Sequence, residues 1–198
     1  STGIAQSYSW LDVNNTRAFE RATAFLMDLG HERIALINGL ESMDFAARRR
    51  AGFEKAHDVR GLCIDPRHMT QGEMTEAQGA QNARLMLAQP DPPTAFVTSS
   101  LLSAMGVRRA VEEAGLRMGR DISIVSHDDE LSYLRNGEEE PIFTATRSSV
   151  REAGRRAAAI LLAQINAADP HAAPVQELME ARLVLGRSTG PAPQPRRV

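Results

Sequence analysis

Apolar residues along the chain follow two alternating spacings. From Asn15 to Leu29 they recur every three or four residues, which predicts a helix with Asn15 as a candidate N-cap and Gly30 just beyond its end. The run at 33–39 is short, apolar and closed by Asn-Gly, as expected for a buried strand. A helix followed by a buried strand is the repeating unit of an α/β protein.

The same alternation continues to about residue 140. It predicts further helices near 44–57, 73–88 and 101–115 and further strands near 61–65, 95–98 and 121–126. Strands separated by helices pair in parallel through right-handed crossovers. The predicted fold class is therefore α/β, an open parallel sheet with helices on both faces, and ligand sites are expected at the carboxyl ends of its strands.

The pattern changes after Pro141. A strand near 142–146 is followed by a long amphipathic helix near 148–166, which suggests a different lobe. A proline-rich link at 169–174 then leads to an alternating segment at 178–185. The last residues, 190–198, are rich in proline, and we expect them to be a loose tail.

Charge and composition narrow the classes of partner. The 198 residues contain 23 Lys and Arg against 25 Asp and Glu, so the net charge of -2 gives no basic footprint for nucleic acid. No apolar run is long enough to span a bilayer, and the first residues lack the pattern of a signal peptide. With Cys63 as the single cysteine, no intrachain disulfide can form, and we expect a cytoplasmic protein with no membrane partner.

Motifs of catalysis are missing from the sequence. It has no Walker-type loop, no Gly-x-Gly-x-x-Gly and no Gly-x-Ser-x-Gly, and Cys63 lacks companions for a zinc site. The acids at 138–140 follow Asn-Gly, which is typical of a solvated loop rather than of paired catalytic carboxylates. We therefore expect no enzyme activity, no cofactor and no metal.

Several segments, taken in order, resemble the effector-binding domain of LacI/GalR transcriptional regulators. The most specific are Gly-His-x-Arg-Ile at 30–34, Arg-x-x-Gly-Phe at 49–53 and the acidic pair Asp128-Asp129 after a predicted strand. Weaker matches lie at 93–96, 104–106, 115–117 and 182–189. Each motif alone is weak, but their shared order from about residue 11 to 189 is specific.

The resemblance implies two lobes with a small-molecule effector between them, a helix-turn-helix headpiece at the amino end, and a homodimer. By this comparison, residues 1–13 are a remnant strand of the amino-terminal lobe and 14–140 form the carboxy-terminal lobe. Residues 141–170 are a crossover and a helix of the amino-terminal lobe, and 171–189 return to the carboxy-terminal lobe. Most of the amino-terminal lobe and the headpiece are not in the sequence, so contact with DNA is expected only through that headpiece.

The resemblance also implies which residues bind the effector. Arg49 stands where the family has an effector-binding arginine, whose planar fork can hold vicinal hydroxyls, a carboxylate or a phosphate. Asp128 stands where the family has an acid that accepts hydrogen bonds from the ligand, with His127 and Asp129 as alternatives.

Two positions depart from the family pattern. Met74 replaces a common aromatic residue that stacks on the effector, which argues against recognition by a flat ring. Ser100 replaces a polar residue such as Asn, and no acid follows it. Lower-ranked ligand-binding candidates are Asp44, Phe45 and Ser148.

These observations favour an effector-sensing domain that binds a sugar or sugar derivative and controls DNA binding allosterically. The alternative is the exported sugar-binding component of an ABC transporter, but the motifs at 49–53 and 126–129 are of regulator type. Candidate contacts of the homodimer are the apolar residues Met105, Leu131 and Tyr133.

Overall fold

The computed structural model of the chain describes residues 8–131, 133–166 and 173–193. Its strands are β1 (Trp10–Val13), β2 (Ile34–Gly39), β3 (Met69–Gly72), β4 (Ala95–Thr98), β5 (Ser123–Asp128), β6 (Thr144–Arg147), β7 (Gln176–Met179) and β8 (Arg182–Val184). Its α-helices are α1 (Asn15–Asp28), α2 (Asp44–Arg60), α3 (Glu76–Leu87), α4 (Leu101–Glu113) and α5 (Val150–Ile165).

The main sheet has six strands in the order β3-β2-β4-β5-β6-β8. The first five in this order run parallel, whereas β8 pairs antiparallel with β6 at one edge. The sheet is therefore mixed, not purely parallel as the sequence predicted. Strands β2, β4 and β5 are buried along their whole length, which explains the short apolar run in each of them.

Helices cover both faces of this sheet and create two cores. Successive strand residues point to opposite faces. Accordingly, Leu36 and Val97 pack with α1 and α2, while Phe96 and Ile124 pack with α3 and α4. The α/β class with helices on both faces is confirmed.

Each pair of covering helices is in backbone contact at a glycine. A Cβ atom added to Gly52 in α2 would overlap the carbonyl group of Thr16 in α1, and one added to Gly106 in α4 would overlap the carbonyl group of Glu76 in α3. The helix pairs can approach this closely only because these positions lack a side chain.

The ends of α1 and α2 show that two predictions were wrong: the N-cap at Asn15 and the strand at 61–65. The N-cap of α1 is Asn14, whose side chain accepts a hydrogen bond from the backbone of Arg17, so Asn15 is the first helical residue. No strand forms at 61–65, because Gly61 (φ 64°) ends α2 and Pro66 begins a short 3-10 turn at Pro66–His68. Proline has no N–H to donate to a sheet, so the strand β3 starts only after that turn.

A smaller region contains β1, β7 and α5. Strand β1 pairs in parallel with β7 to form a separate two-stranded sheet, and α5 packs against β1. In α5 only Ile160 is buried, while Leu161, Leu162 and Ile165 are 58%, 59% and 68% exposed. This region therefore leaves apolar side chains uncovered.

The chain passes between the two regions at β1–α1, β6–α5 and β7–β8. The prediction that the strand near 142–146 belongs to the other lobe is wrong, because β6 pairs with β5 and β8 in the main sheet. The predicted segment at 178–185 is likewise two strands, one in each sheet. The predicted link at 169–174 lies partly outside the described residues.

The predicted loose tail is ordered where it begins. The carbonyl oxygen of Gly190 accepts a hydrogen bond from Ser123 at 3.1 Å, and the backbone N–H of Ala192 donates to Leu29 at 2.8 Å. These bonds attach residues 190–192 to the main body, while 194–198 lie outside the described residues. Within the described residues, no helix has both the length and the apolar character that a membrane crossing requires.

Candidate functional site

The carboxyl ends of β2 and β4 form a crevice. The chain leaves β2 through α2 towards β3 and leaves β4 through α4 in the opposite direction, towards β5. Such a reversal between neighbouring strands opens a crevice at their carboxyl ends, where ligands bind in open α/β sheets. Here the side chain of Ser99 donates to that of Asn38 at 2.7 Å, and Asn38 donates to the carbonyl of Ala46 at 2.9 Å. The polar groups of the crevice are thus fixed in position.

Arg49 lies in this crevice and is only 5% exposed. Its Nε donates to Oδ1 of Asn15 at 2.8 Å, and its Nη1 donates to the carbonyl oxygen of Ser99 at 2.8 Å. The guanidinium carbon lies 5.2 Å from the ring centre of Phe19 and 4.8 Å from that of Phe45. Two aromatic rings and two hydrogen bonds therefore hold one orientation of the guanidinium.

Burial and neighbouring acids act on Arg49 in opposite directions. Burial lowers the pKa of Arg49 to about 10, although the carboxylates of Asp129 and Asp12 act to raise it. The guanidinium therefore stays charged at neutral pH. The two acids favour the charged form from a distance, while the hydrogen-bond partners of the guanidinium are the neutral groups of Asn15 and Ser99.

His127 connects Asp129 to the crossover after β6. Its Nε2 lies 3.0 Å from Oδ1 of Asp129 and 3.3 Å from Oγ of Ser148, and its Nδ1 lies 3.1 Å from Oγ1 of Thr146. Burial and the charge of Arg49 lower the pKa of His127, which favours the neutral ring. Burial alone would raise the pKa of Asp129, but the hydrogen bond with His127 and the charge of Arg49 act against it and the pKa is lowered.

Asp128 points away from Arg49. Along β5, Val125 packs on the α1 side and Ile124 on the α4 side, so His127 faces the ring of Phe19 and Asp128 faces the opposite side. Asp128 is 3% exposed, accepts from the backbone N–H of Glu130 at 2.9 Å and pairs with Nε of Arg147 at 3.3 Å.

Of the acidic pair, the residue that acts on Arg49 is therefore Asp129, which the sequence ranked below Asp128. Contact of Arg49 and Asp128 with one effector stays a prediction.

The other predicted residues divide between two places. Ser100 caps α4 and donates to the carbonyl of Met74 at 3.4 Å, while Phe45 and Met74 both lie beside Gly39. These residues line the same end of the sheet as Arg49. Asp44 begins α2 and pairs with Arg48 at 2.9 Å. Ser148 lies at the β6 end with His127 and Asp128.

Several polar residues of the site were not predicted as ligand-binding candidates. They are Asn15, Asn38 and Ser99, which hold Arg49 and each other, and Arg147, which pairs with Asp128. A signal for Asn38 was present in the sequence, because an amide at the end of a fully apolar strand must find a buried partner. Asn15 was interpreted only as a helix cap.

A protein-family profile described as "Periplasmic binding protein-like domain" matches residues 23–189. Over 194 residues the chain is 43% identical to the "HTH-type transcriptional regulator AglR" of Rhizobium meliloti, an alignment that covers 98% of this chain and 54% of that protein. The chain thus spans about half the length of the curated relatives that it matches.

Solved structures share the fold. A structure titled "transcriptional regulator CelR-cellobiose complex" is 26% identical with a TM-score of 0.80, and the match covers 92% of this chain and 54% of that one. The "Dimeric Lac Repressor with an 11-residue C-terminal Deletion" is also 26% identical, with a TM-score of 0.81 and coverage of 92% and 64%.

Proposed function

The chain belongs to the LacI family of transcriptional regulators as part of their effector-binding domain, and from that premise we propose that it binds a sugar or sugar derivative at the Arg49 crevice. The observation that carries the proposal is the buried guanidinium of Arg49 at the carboxyl ends of β2 and β4, where Asp129 and Asp12 favour its charged form. No catalytic role is assigned to the site.

The chemistry of the crevice suits a hydroxylated ligand. Amide and hydroxyl side chains (Asn15, Asn38 and Ser100) offer donors and acceptors, and Phe45 with Met74 offers an apolar wall. Arg49 makes its hydrogen bonds to neutral groups, and its remaining N–H groups can donate to ligand hydroxyls. The similar CelR structure holds cellobiose, which supports the choice of sugars as the class to test.

Effector binding would act by changing how the two lobes close on each other. We assign β1, α5 and β7 to the amino-terminal lobe, and the six-stranded sheet with α1 to α4 to the carboxy-terminal lobe. An effector held between lobes shifts their closure equilibrium only if it binds one arrangement better. That shift would reach a helix-turn-helix headpiece in the cytoplasm through a homodimer. The similar Lac repressor is dimeric, and the matched relatives do not favour a transporter component.

Calorimetric titration tests the proposal with a panel of neutral mono- and disaccharides that includes cellobiose. Because this chain supplies only one side of the proposed cleft between lobes, a bound sugar stays partly solvated. We therefore expect dissociation constants of about millimolar. The Arg49→Lys variant should weaken binding of the best sugar about tenfold, because an ammonium lacks the planar fork. The control Arg50→Lys changes the neighbouring exposed residue and should bind as the parent does. Equal affinity of both variants would place the site elsewhere.

A further inference from the structure

A second polar cavity, of about 270 Å³, lies outside the Arg49 crevice. Three arginines from three different segments line it. Arg135 belongs to the loop after β5, Arg147 is the last residue of β6, and Arg151 lies in the first turn of α5. The cavity therefore lies where the main body meets the helix of the smaller region.

Only one of these arginines is neutralised within the described residues. Arg147 pairs with Asp128 at 3.3 Å and with Glu130 at 3.7 Å, and these are the acids that line the cavity. Neither Arg135 nor Arg151 forms an ion pair with any residue that the structure describes. With the three arginines against Asp128 and Glu130, the lining of the cavity is net positive.

The backbone around the cavity is held in place. Asn136 is buried, its side-chain amide donates to the carbonyl of Phe143 at 2.8 Å, and its Oδ1 accepts from the N–H of Phe143 at 2.8 Å. At the other wall, the side chain of Ser149 caps α5, and the N–H of Val150 donates to the carbonyl of Asp129 at 3.2 Å. The positive end of the α5 dipole adds to the field of the arginines.

We propose that this cavity binds a phosphate group carried by a small molecule. Guanidinium groups bind phosphate through paired, charge-assisted hydrogen bonds, and Arg135 and Arg151 have no acid partner in the lining to compete with a phosphate. The site goes beyond the proposed sugar crevice and does not depend on it.

Asp128 links the cavity wall to the backbone after β5. Its carboxylate lines the cavity and is held by Arg147 and by the N–H of Glu130. A phosphate that attracts Arg147 competes with Asp128 for the same guanidinium, so the amide of Glu130 reports on occupancy.

Two-dimensional NMR of the 198-residue chain tests the site with sodium phosphate, titrated against sodium chloride at constant ionic strength. We expect saturable shifts confined to the amides of 129–142 and 147–152, with Glu130 among them. Arg135→Gln and Arg151→Gln should each weaken phosphate binding about three- to tenfold, because each removes one charge-assisted contact at an exposed position. Arg151→Lys should fall between Arg151→Gln and the parent.

The matched control is Arg155→Gln, which removes an exposed arginine one turn further along α5, outside the cavity lining. It should bind phosphate as the parent does. Shifts that do not saturate, or that persist unchanged in the Arg135→Gln/Arg151→Gln double variant, would overturn the site. A parallel titration with succinate separates phosphate from carboxylate, and equal or tighter succinate binding would overturn the assignment to phosphate.

Discussion

The main body and the smaller region differ in how their apolar residues are covered. In the main body, strands β2, β4 and β5 are fully buried between two helix layers. In the smaller region, α5 buries only Ile160, and β7 alternates between exposed and half-buried residues. Both regions contain amphipathic elements, but only the main body contains the layers that those elements need.

This difference indicates which part of the domain stands by itself. We infer that the main body is a self-sufficient unit and that the smaller region is completed by further chain of the same lobe. The relatives are about twice as long as the part that this chain matches, which supports the inference. The Arg49 crevice is built mainly by the main body, to which Asp12 of β1 adds a carboxylate that acts on Arg49.

Truncation of one large apolar side chain in each region should give the largest difference in stability. Phe53→Ala removes a fully buried ring that packs among α1, α2 and the sheet, and should lower the free energy of unfolding by about 3–5 kcal/mol. Leu161→Ala on α5 removes a side chain that is 58% exposed, and should change it by less than about 0.5 kcal/mol. Chemical denaturation measures both. Similar losses would mean that α5 is covered in solution.

Replacing a glycine by alanine should change stability in opposite directions in the two regions. Gly106→Ala places a methyl group against the backbone of α3 and should destabilise the protein by about 1–3 kcal/mol. Gly154→Ala in α5 meets no atom within 4 Å and should stabilise it by about 0.5–1 kcal/mol through helix propensity. The thermal unfolding midpoints of the two variants should therefore move apart. Destabilisation by Gly154→Ala would reveal a partner packed on that helix face.

Acid should weaken the main body through its buried histidines. Burial lowers the pKa of His31, His57 and His127, so the unfolded chain binds more protons than the folded one just below about pH 6.5. Stability is therefore fully present above that pH and is lost as the pH falls towards the lowered values. Urea unfolding between about pH 7.5 and about pH 5 should show this slope. His31→Gln, which replaces a ring bonded to Thr94 and Ser123, should reduce it. An unchanged slope in that variant would exclude His31 as a contributor.

Periodicity predicted most of the fold because most elements are long and buried on a regular side. All five helices were predicted to within three residues at each end. The prediction of a strand at 61–65 was wrong because the turn at Pro66 delays the strand to Met69. The alternation at 178–185 could not reveal that the two halves of this segment join different sheets. Such pairing depends on contacts distant in sequence.

The site was predictable in outline but not in its partners. Register with a family motif placed Arg49, whereas the alternation of β5 decides that Asp129 and not Asp128 faces it. That choice depends on the phase of the strand relative to the sheet. Asn15 became visible as an Arg49 partner only when α1 and α2 were brought together.

Locating the bound sugar by NMR is the most direct test of sugar binding at the Arg49 crevice. Amide NMR shifts should be followed during titration of the 198-residue chain with the tightest-binding sugar of the panel. If sugar binds in the Arg49 crevice, we expect the largest shifts at the carboxyl ends of β2, β4 and β5, at residues 38–49, 98–101 and 127–130. Shifts concentrated instead at the amino ends of the strands, around His57, Cys63 and His68, would contradict the assignment of the site.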